Sequence, residues 1–365
     1  MQNYIRHFLI ATIIFCCSNS YTFAQEEILP CRIGIETQKL YAKNPNLYQE
    51  ILQKRLAIIK KEKKNLNSPL QKMIGMDTIP VVFHVIHMCG DEKVDRAQIE
   101  AALADLNADF SATNADKLQD GEPFYEDQAA TNFVFKLAEL DPYGNSTTGI
   151  TYLDSRFTLD GAAFGDLVKQ MHHWPRDKYL NVWVINHLSN ASGYAFYPEV
   201  VDDATSAFKD GIIIRYDYLG TTGSSGVATH GRRHILAHET GHWLGLIHAW
   251  GDGIDCLNPG NSGNCNCDDG VRDTPREIGS TDTIAPTGLT CADLPNTCDD
   301  NGDYNGNYIN QTNCSNSDPP DNRFNIMGYN REIMFTYGQV NRMETYRNDT
   351  LSDRNLIGEN PDLTF

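Results

Sequence analysis

Residues 234–248 read His234-Ile235-Leu236-Ala237-His238-Glu239-Thr240-Gly241-His242-Trp243-Leu244-Gly245-Leu246-Ile247-His248 and contain the pattern H-E-x-x-H-x-x-G-x-x-H. On a helix, His238 and His242 are four residues apart, so both imidazoles leave one face and can share a tetrahedral ion. Gly245 permits a reversal that a side chain resists, which lets His248 approach from beyond the helix as third ligand. Three protein ligands leave a fourth position for water, the coordination of a catalytic rather than a structural zinc. Glu239 sits beside the ligand pair, placed to take a proton from zinc-bound water and return it to a leaving group. The full pattern arises by chance on the order of once in 10^5 chains of this length at average composition, so a helix of ordinary core histidines is a poor account of it. His234 falls on the same face one turn earlier and, with three ligands found, reads as a packing residue or one that steers a ligand imidazole.

Outward from this segment, Ile79-Pro80-Val81-Val82-Phe83-His84-Val85-Ile86 is an apolar run short enough for a buried strand. Asp95 precedes a stretch with Ile99, Leu103, Leu106 and Phe110 at helical spacing. Further strands are expected at 133–137, 180–186 and 211–216, and a second long helix near Arg232. That order predicts a mixed α/β (α+β) layer in which the metal helix arrives after most of the sheet. Residues 251–322 are rich in Gly, Asn, Asp and Cys with little periodicity, and so long a stretch is functional or pinned covalently. Residues 344–365 read as a closing helix followed by a loose end, because 345–356 is polar with few apolar positions.

The first 24 residues carry Arg6, an apolar stretch over 8–17 and Thr22-Phe23-Ala24 before Gln25, the make-up of a secretory signal peptide. That run is too short for a comfortable membrane span, and no later stretch approaches the ~20 apolar residues a span needs. A secreted, soluble mature chain is therefore expected. Residues 25–78 hold ten Lys/Arg against six Asp/Glu, so with Arg6 in the leader the formal charge of −18 leaves −23 on residues 79–365. A body that acidic repels polyanions, which argues against nucleic acid as a partner; it suits cationic substrates, bound calcium or solubility. Within 25–78, Lys54, Arg55, Lys60, Lys61, Lys63 and Lys64 punctuate a helical pattern of Tyr48, Ile51, Leu52, Leu56 and Ile59, and the breaker cluster Asn65-Leu66-Asn67-Ser68-Pro69 follows. This is either a basic surface helix or a pro-segment whose positive face lies on the acidic body and whose linker is cut in activation. The expected division is a signal peptide to 24, a pro-segment over 25–78, a catalytic domain over 79–343 and a tail from 344.

Eight cysteines follow the leader, six of them between Cys256 and Cys314. In an exported chain such crowding indicates disulfides, whose pairing the sequence does not choose. The competing zinc-knuckle reading of Cys265-Asn266-Cys267 lacks the two intervening residues.

The extended zinc motif, together with the later Asn325-Ile326-Met327-Gly328-Tyr329, resembles the metzincins and their methionine turn. Among them the chain most resembles the pappalysin family, particularly its secreted bacterial members. Matching stretches lie between about Ile79 and Met343 and include Val81-Val82-Phe83-His84-Val85, Leu180-Asn181-Val182-Trp183-Val184, Asp269-Gly270-Val271-Arg272-Asp273-Thr274-Pro275 and Phe335-Thr336-Tyr337-Gly338-Gln339. The resemblance implies an upper subdomain with a twisted sheet to about residue 248, an irregular lower one from about 249, and a cleft between them. It implies that Met327 forms an apolar base under the metal and that Tyr329 is a flexible phenol stabilising the reaction intermediate. It also makes Gly193-Tyr194-Ala195 part of an edge strand that pairs with extended substrate. Asp269, Asp273 and Thr274 stand where relatives place calcium ligands, and oxygen-rich loops suit that ion. Asp299, Asn301 and Asp303 form a weaker cluster that lacks the glycine and distal glutamate of an EF-hand. The stretch after Met327 is shorter than in those relatives, which leaves Glu332 as the candidate for the acidic residue that selects arginine after the scissile bond. Cys31, in Pro30-Cys31-Arg32-Ile33-Gly34, is the candidate thiolate for the open zinc position of a latent precursor, and a Cys31–Cys89 disulfide is the alternative.

Together these readings imply a secreted zinc endopeptidase, made as a latent zymogen, that cuts extended protein substrates by Glu-assisted attack of zinc-bound water. A calcium-stabilised binding protein that keeps the zinc fold for structure is the reading of another class, and the intact Glu239 argues against it. A zinc hydrolase of non-peptide bonds is a third, and the edge-strand segment argues against that.

Overall fold

A continuous apolar run is stable as a strand only if both its faces are covered. In the computed structural model of the chain, Val81, Val82, Phe83, Val85 and Ile86 are all fully buried on a central strand. The structure describes residues 30–66, 76–226, 232–251, 265, 267–279, 289–299, 318–359, 362, 364 and 365. The expected leader, residues 67–75, Cys256, Cys314, Asn301 and Asp303 lie outside the described residues.

In chain order the elements are α1 (Ile33–Lys43), α2 (Pro45–Leu66), β1 (Asp77–His87), α3 (Arg96–Phe110), β2 (Gln128–Ala129), β3 (Phe133–Leu137) and β4 (Ile150–Asp154). They continue with α4 (Gly161–Met171), β5 (Leu180–Ile185), β6 (Gly193–Ala195), β7 (Ile212–Arg215), α5 (Ile235–Trp243), β8 (Phe335–Thr336) and α6 (Tyr337–Arg347). The main sheet has the order β3-β1-β5-β7-β6, with β4 beside the second half of β1. Its pairings are parallel except for the edge strand β6, which runs antiparallel to β7. A short antiparallel pair, β2 with β8, ties the upper part to the C-terminal region. This is the mixed sheet-and-helix architecture expected, with the strands at 133–137, 180–186 and 211–216 in place.

Helix α3 starts where Asp95 caps it by accepting the Gln98 N–H, and Ile99, Leu103, Leu106 and Phe110 all face the core. Helix α5 follows a 3-10 turn over Arg232–His234 and has every residue buried. It is shorter than expected, because Gly245, at φ +87°, ends it. Leu246 N–H reaches Gly241 O at 2.9 Å and Gly245 N–H reaches His242 O at 2.9 Å, the paired bonds of a Schellman termination.

Below the sheet, Cys265 and Cys298 form a disulfide, and Cys267 and Cys291 are also disulfide-bonded. These bonds exclude the zinc-knuckle reading. Helix α6 opens with a capping box between Thr336 and Gln339.

Three boundaries differ from expectation. The basic segment forms two helices, and Leu56, placed on the apolar face by its spacing, is 45% exposed while Ile58 is buried instead. The sheet begins at Asp77, inside the stretch assigned to the pro-segment. The tail is not loose: α6 crosses the boundary at 343, and Arg354 is fully buried, paired with Asp210 at 2.6 Å and stacked 4.1 Å over the Trp243 ring. The polarity of 345–356 hid this, because the buried groups there are charged and paired rather than apolar. The basic helix does lie on the acidic body, through Arg55–Glu199 (3.0 Å), Lys54–Asp202 (2.8 Å) and Lys61–Asp349.

Candidate metal centre

A helix buried on all sides can carry histidines only if their polar nitrogens are satisfied. His238 Nδ1 donates to Ile326 O at 2.7 Å and His242 Nδ1 donates to Leu246 O at 2.8 Å. In the neutral imidazole this leaves Nε2 as the lone-pair atom of each ring. The Nε2 atoms nevertheless stand 3.1 Å apart between His238 and His242, and 3.3 Å between His238 and His248. Two lone pairs facing each other at that distance repel unless a cation lies between them. Tetrahedral zinc with Zn–N near 2.1 Å requires ligand nitrogens about 3.4 Å apart, so the three rings fit that ion.

The sequence motif is thus assembled by the fold: α5 supplies two rings, and the reversal at Gly245 brings His248 alongside. A Cβ at Gly245 would lie 2.2 Å from the Tyr346 ring. Met327 is fully buried beneath, its sulfur so close to α5 that a Cβ at Gly241 would meet it at 2.5 Å. The Asn325 and Gln339 amides bond each other twice at 3.0 Å and hold this turn.

Glu239 is fully buried, and Oε1 has no hydrogen-bond partner. Burial pushes its pKa up to about 8, opposed by the Cys31 thiol and the Ala195 N–H. The Cys31 Sγ lies 3.4 Å from Glu239 Oε2, and it and the three histidines offer ligand atoms within 4.8 Å of one another. No disulfide joins Cys31 to Cys89, and Cys89 is exposed. The segment carrying Cys31 runs along the sheet edge: Arg32 N–H donates to Gly193 O at 2.9 Å and Ser192 N–H to Pro30 O at 3.1 Å. Gly193 has no room for a side chain there, since a Cβ would lie 3.0 Å from Glu239 Oε1. Tyr194 points away from the metal, buried against Lys169 and Phe196; of the edge strand, it is the main chain that faces this segment.

Tyr329 is half-buried with its hydroxyl 3.0 Å from His248 Nε2. Glu332 is fully buried at φ +50°, and neither carboxylate oxygen has a hydrogen-bond partner. Burial drives its pKa well above the ordinary value, His234 opposes this, and Glu239 and Asp109 add to it. His234 is not a fourth ligand: Nδ1 meets both Asp109 oxygens at 2.9 Å and Nε2 meets Asp116 at 3.1 Å. Burial alone would lower its pKa, but Asp109 and Asp116 raise it to about 10.

The three residues expected to hold calcium are buried and engaged within the chain. Asp269 Oδ1 accepts from Val271 N–H and the Thr274 hydroxyl, while Oδ2 has no partner. Asp273 accepts from the Thr336 hydroxyl at 2.8 Å and the Gly338 N–H at 2.7 Å, at the start of α6.

Sequence reasoning missed Asp109, although a carboxylate beside the apolar stripe of α3 was a signal that it had a buried partner. It also missed Trp250, which lies face to face on His248 with ring centroids 4.5 Å apart.

Comparison with known proteins agrees with this geometry. The peptidase family model described as pregnancy-associated plasma protein-A matches residues 165–348. The chain belongs to this family. Within the pappalysin family it is similar to mature mirolysin of Tannerella forsythia in complex with a cleaved peptide, at 30% identity and TM-score 0.64, over 80% of this chain and 99% of that one. A promirolysin mutant matches over 92% of this chain and 97% of the other, at 26% identity and TM-score 0.66. Curated relatives include extracellular metalloproteases of Neurospora crassa, 31% identical over 145 residues, and of Sordaria macrospora, 27% identical over 214. The matches cover 39% and 57% of this chain, and 45% and 62% of the two fungal proteins, less than two thirds of either. The family membership carries a metalloprotease fold and a catalytic metal with it.

Proposed function

We propose that the chain is the latent precursor of a secreted zinc endopeptidase that cuts extended, unfolded segments of other proteins. The observation that carries the reading is the convergence of three histidine Nε2 atoms beside the buried carboxylate of Glu239.

Bound at His238, His242 and His248, zinc supplies Lewis acidity that makes water nucleophilic near neutral pH and polarises a carbonyl. Glu239 accepts the proton of the attacking water at Oε1 and returns it to the leaving amine. A carboxyl pushed up to about 8 by burial is brought back toward ionisation by a nearby divalent cation, so it can act as a base. The Tyr329 hydroxyl donates to the developing oxyanion. The outer edge of β6, which residues 30–32 cover by main-chain hydrogen bonds in the precursor, aligns the substrate by the same bonds once they are gone. Glu332 receives a basic side chain after the scissile bond, since a buried carboxylate without partners gains most from a cation.

In the precursor, the Cys31 thiolate would join the three histidines in holding zinc, which would keep attacking water out. Residues 1–24 direct export, and cleavage in the linker that begins with Asn65-Leu66-Asn67-Ser68-Pro69 releases the pro-segment. The Asp269 loop, with an unpartnered Oδ2, is the reading's calcium site.

The test is hydrolysis of a denatured protein by zinc-loaded chain freed of its pro-segment by limited proteolysis, beside a Glu239→Ala version. The reading requires that the parent cuts, that a zinc chelator stops it, and that the variant binds zinc but is slower by about 10^2-fold or more. A folded, zinc-loaded parent that cuts nothing across a broad peptide library ends it.

A further inference from the structure

The geometry points to Trp250 as a positioning residue that holds the third zinc ligand and the Tyr329 phenol on one rigid surface. This rests on the zinc-site reading and adds to it a residue outside the motif.

The Trp250 indole is nearly parallel to the His248 ring, at 8° and 4.5 Å between centroids. Tyr329 meets the same indole at 4.7 Å and 65°, and meets His248 at 5.1 Å. The backbone of Gly279 lies close against Trp250: a Cβ there would lie 2.7 Å from Cδ2, 2.9 Å from Cγ and 3.1 Å from Cε3. Trp250 is 6% exposed and cannot turn away.

The three ligands are thus held differently. His238 and His242 sit on a helix and are oriented through Nδ1–carbonyl bonds. His248 lies beyond the helix end, and a flat indole packed against Gly279 gives its ring a plane. Offset stacking is directional enough to set that plane. The same indole is a wall for the phenol, so the angle at which Tyr329 reaches the metal side of His248 depends on Trp250 as well.

The test uses full-length, zinc-loaded protein with Trp250→Phe and Trp250→Leu, read first by the rate of zinc release to a chromogenic chelator. This readout is independent of any protease activity, so it stands even if the endopeptidase reading falls. Release is expected to be about tenfold or more faster in Trp250→Leu and close to parent in Trp250→Phe, which keeps a flat ring. Equal release by parent and a folded Trp250→Leu overturns the proposal. If Trp250→Leu fails to fold, Gly279→Ala serves, since it displaces the indole without removing it, and unchanged release there is equally fatal. With activated enzyme, Trp250→Leu lowers kcat with little change in KM, and in a Tyr329→Phe background the kcat loss shrinks; a loss of the same size in both backgrounds removes the phenol from the proposal.

Discussion

Glu62 on α2 and Arg342 on α6 form a buried ion pair, Oε2 to Nε at 2.7 Å, across 280 residues of sequence. The same guanidinium donates to the carbonyls of Asp269 at 2.8 Å and Gly270 at 2.7 Å. Helix α2 therefore completes the electrostatics of the Asp269–Gly270 loop. Glu62→Ala leaves Arg342 buried without its counter-ion, a change that costs about 3–5 kcal/mol in other buried pairs. Urea unfolding of the full-length chain should show the loss, and residues 30–66 should become sensitive to protease at concentrations that spare the parent. A denaturation midpoint equal to the parent's would mean the pair contributes nothing.

Latency is expected to depend on Cys31. Full-length Cys31→Ser should hydrolyse a peptide substrate before any cleavage of the chain, whereas the parent should not. In the parent, Cys89 should react with a thiol reagent well ahead of Cys31, because the first is exposed and the second faces the histidines. Chelation of zinc should speed the Cys31 reaction; if the two thiols label at the same rate with zinc bound, the thiol is not holding the site.

His234 predicts a pH dependence of stability. Both ring nitrogens face carboxylates, so both donate, and the imidazolium is held to about 10 against an ordinary 6.5. A pKa raised on folding contributes stability that is fully present below about 6.5 and is lost as pH climbs through 10. Denaturant midpoints of the zinc-loaded chain at pH 6, 8 and 10 should fall along that window. In His234→Gln the fall over the same window should flatten.

Calcium should raise the melting temperature through Asp269, whose Oδ2 has no hydrogen-bond partner. An ion at about 100 times its Kd adds about 2.7 kcal/mol. Asp269→Asn should abolish the shift while leaving zinc content unchanged. A melting temperature indifferent to calcium in the parent would remove the ion from this loop.

The parts of the fold legible in the sequence were those written locally. Four-residue spacing set His238 and His242 on one face, an unbroken apolar run set β1, and Asp95 set the start of α3. Each of these depends on neighbours within a turn or a strand. What stayed hidden were pairings between distant charges. Arg354 with Asp210, and Glu62 with Arg342, look like solvated residues in any local window, because burial of a charge depends on a partner far along the chain. Trp250 was hidden for a related reason: stacking on His248 follows from the turn after the helix, which no periodicity encodes. At Leu56 the helical spacing misled, because α2 is covered along a narrower stripe than its apolar residues suggest.

Gly245 ties several of these regions together. Its positive φ excludes ordinary side chains, and its place against the Tyr346 ring excludes even a methyl group. Tyr346 cannot simply move, since its hydroxyl bonds Glu199, which pairs with Arg55 of α2. A substitution at 245 would thus be felt in the precursor helix as well as at the metal. Drift at this one position is therefore tied to Tyr346, Glu199 and Arg55 together.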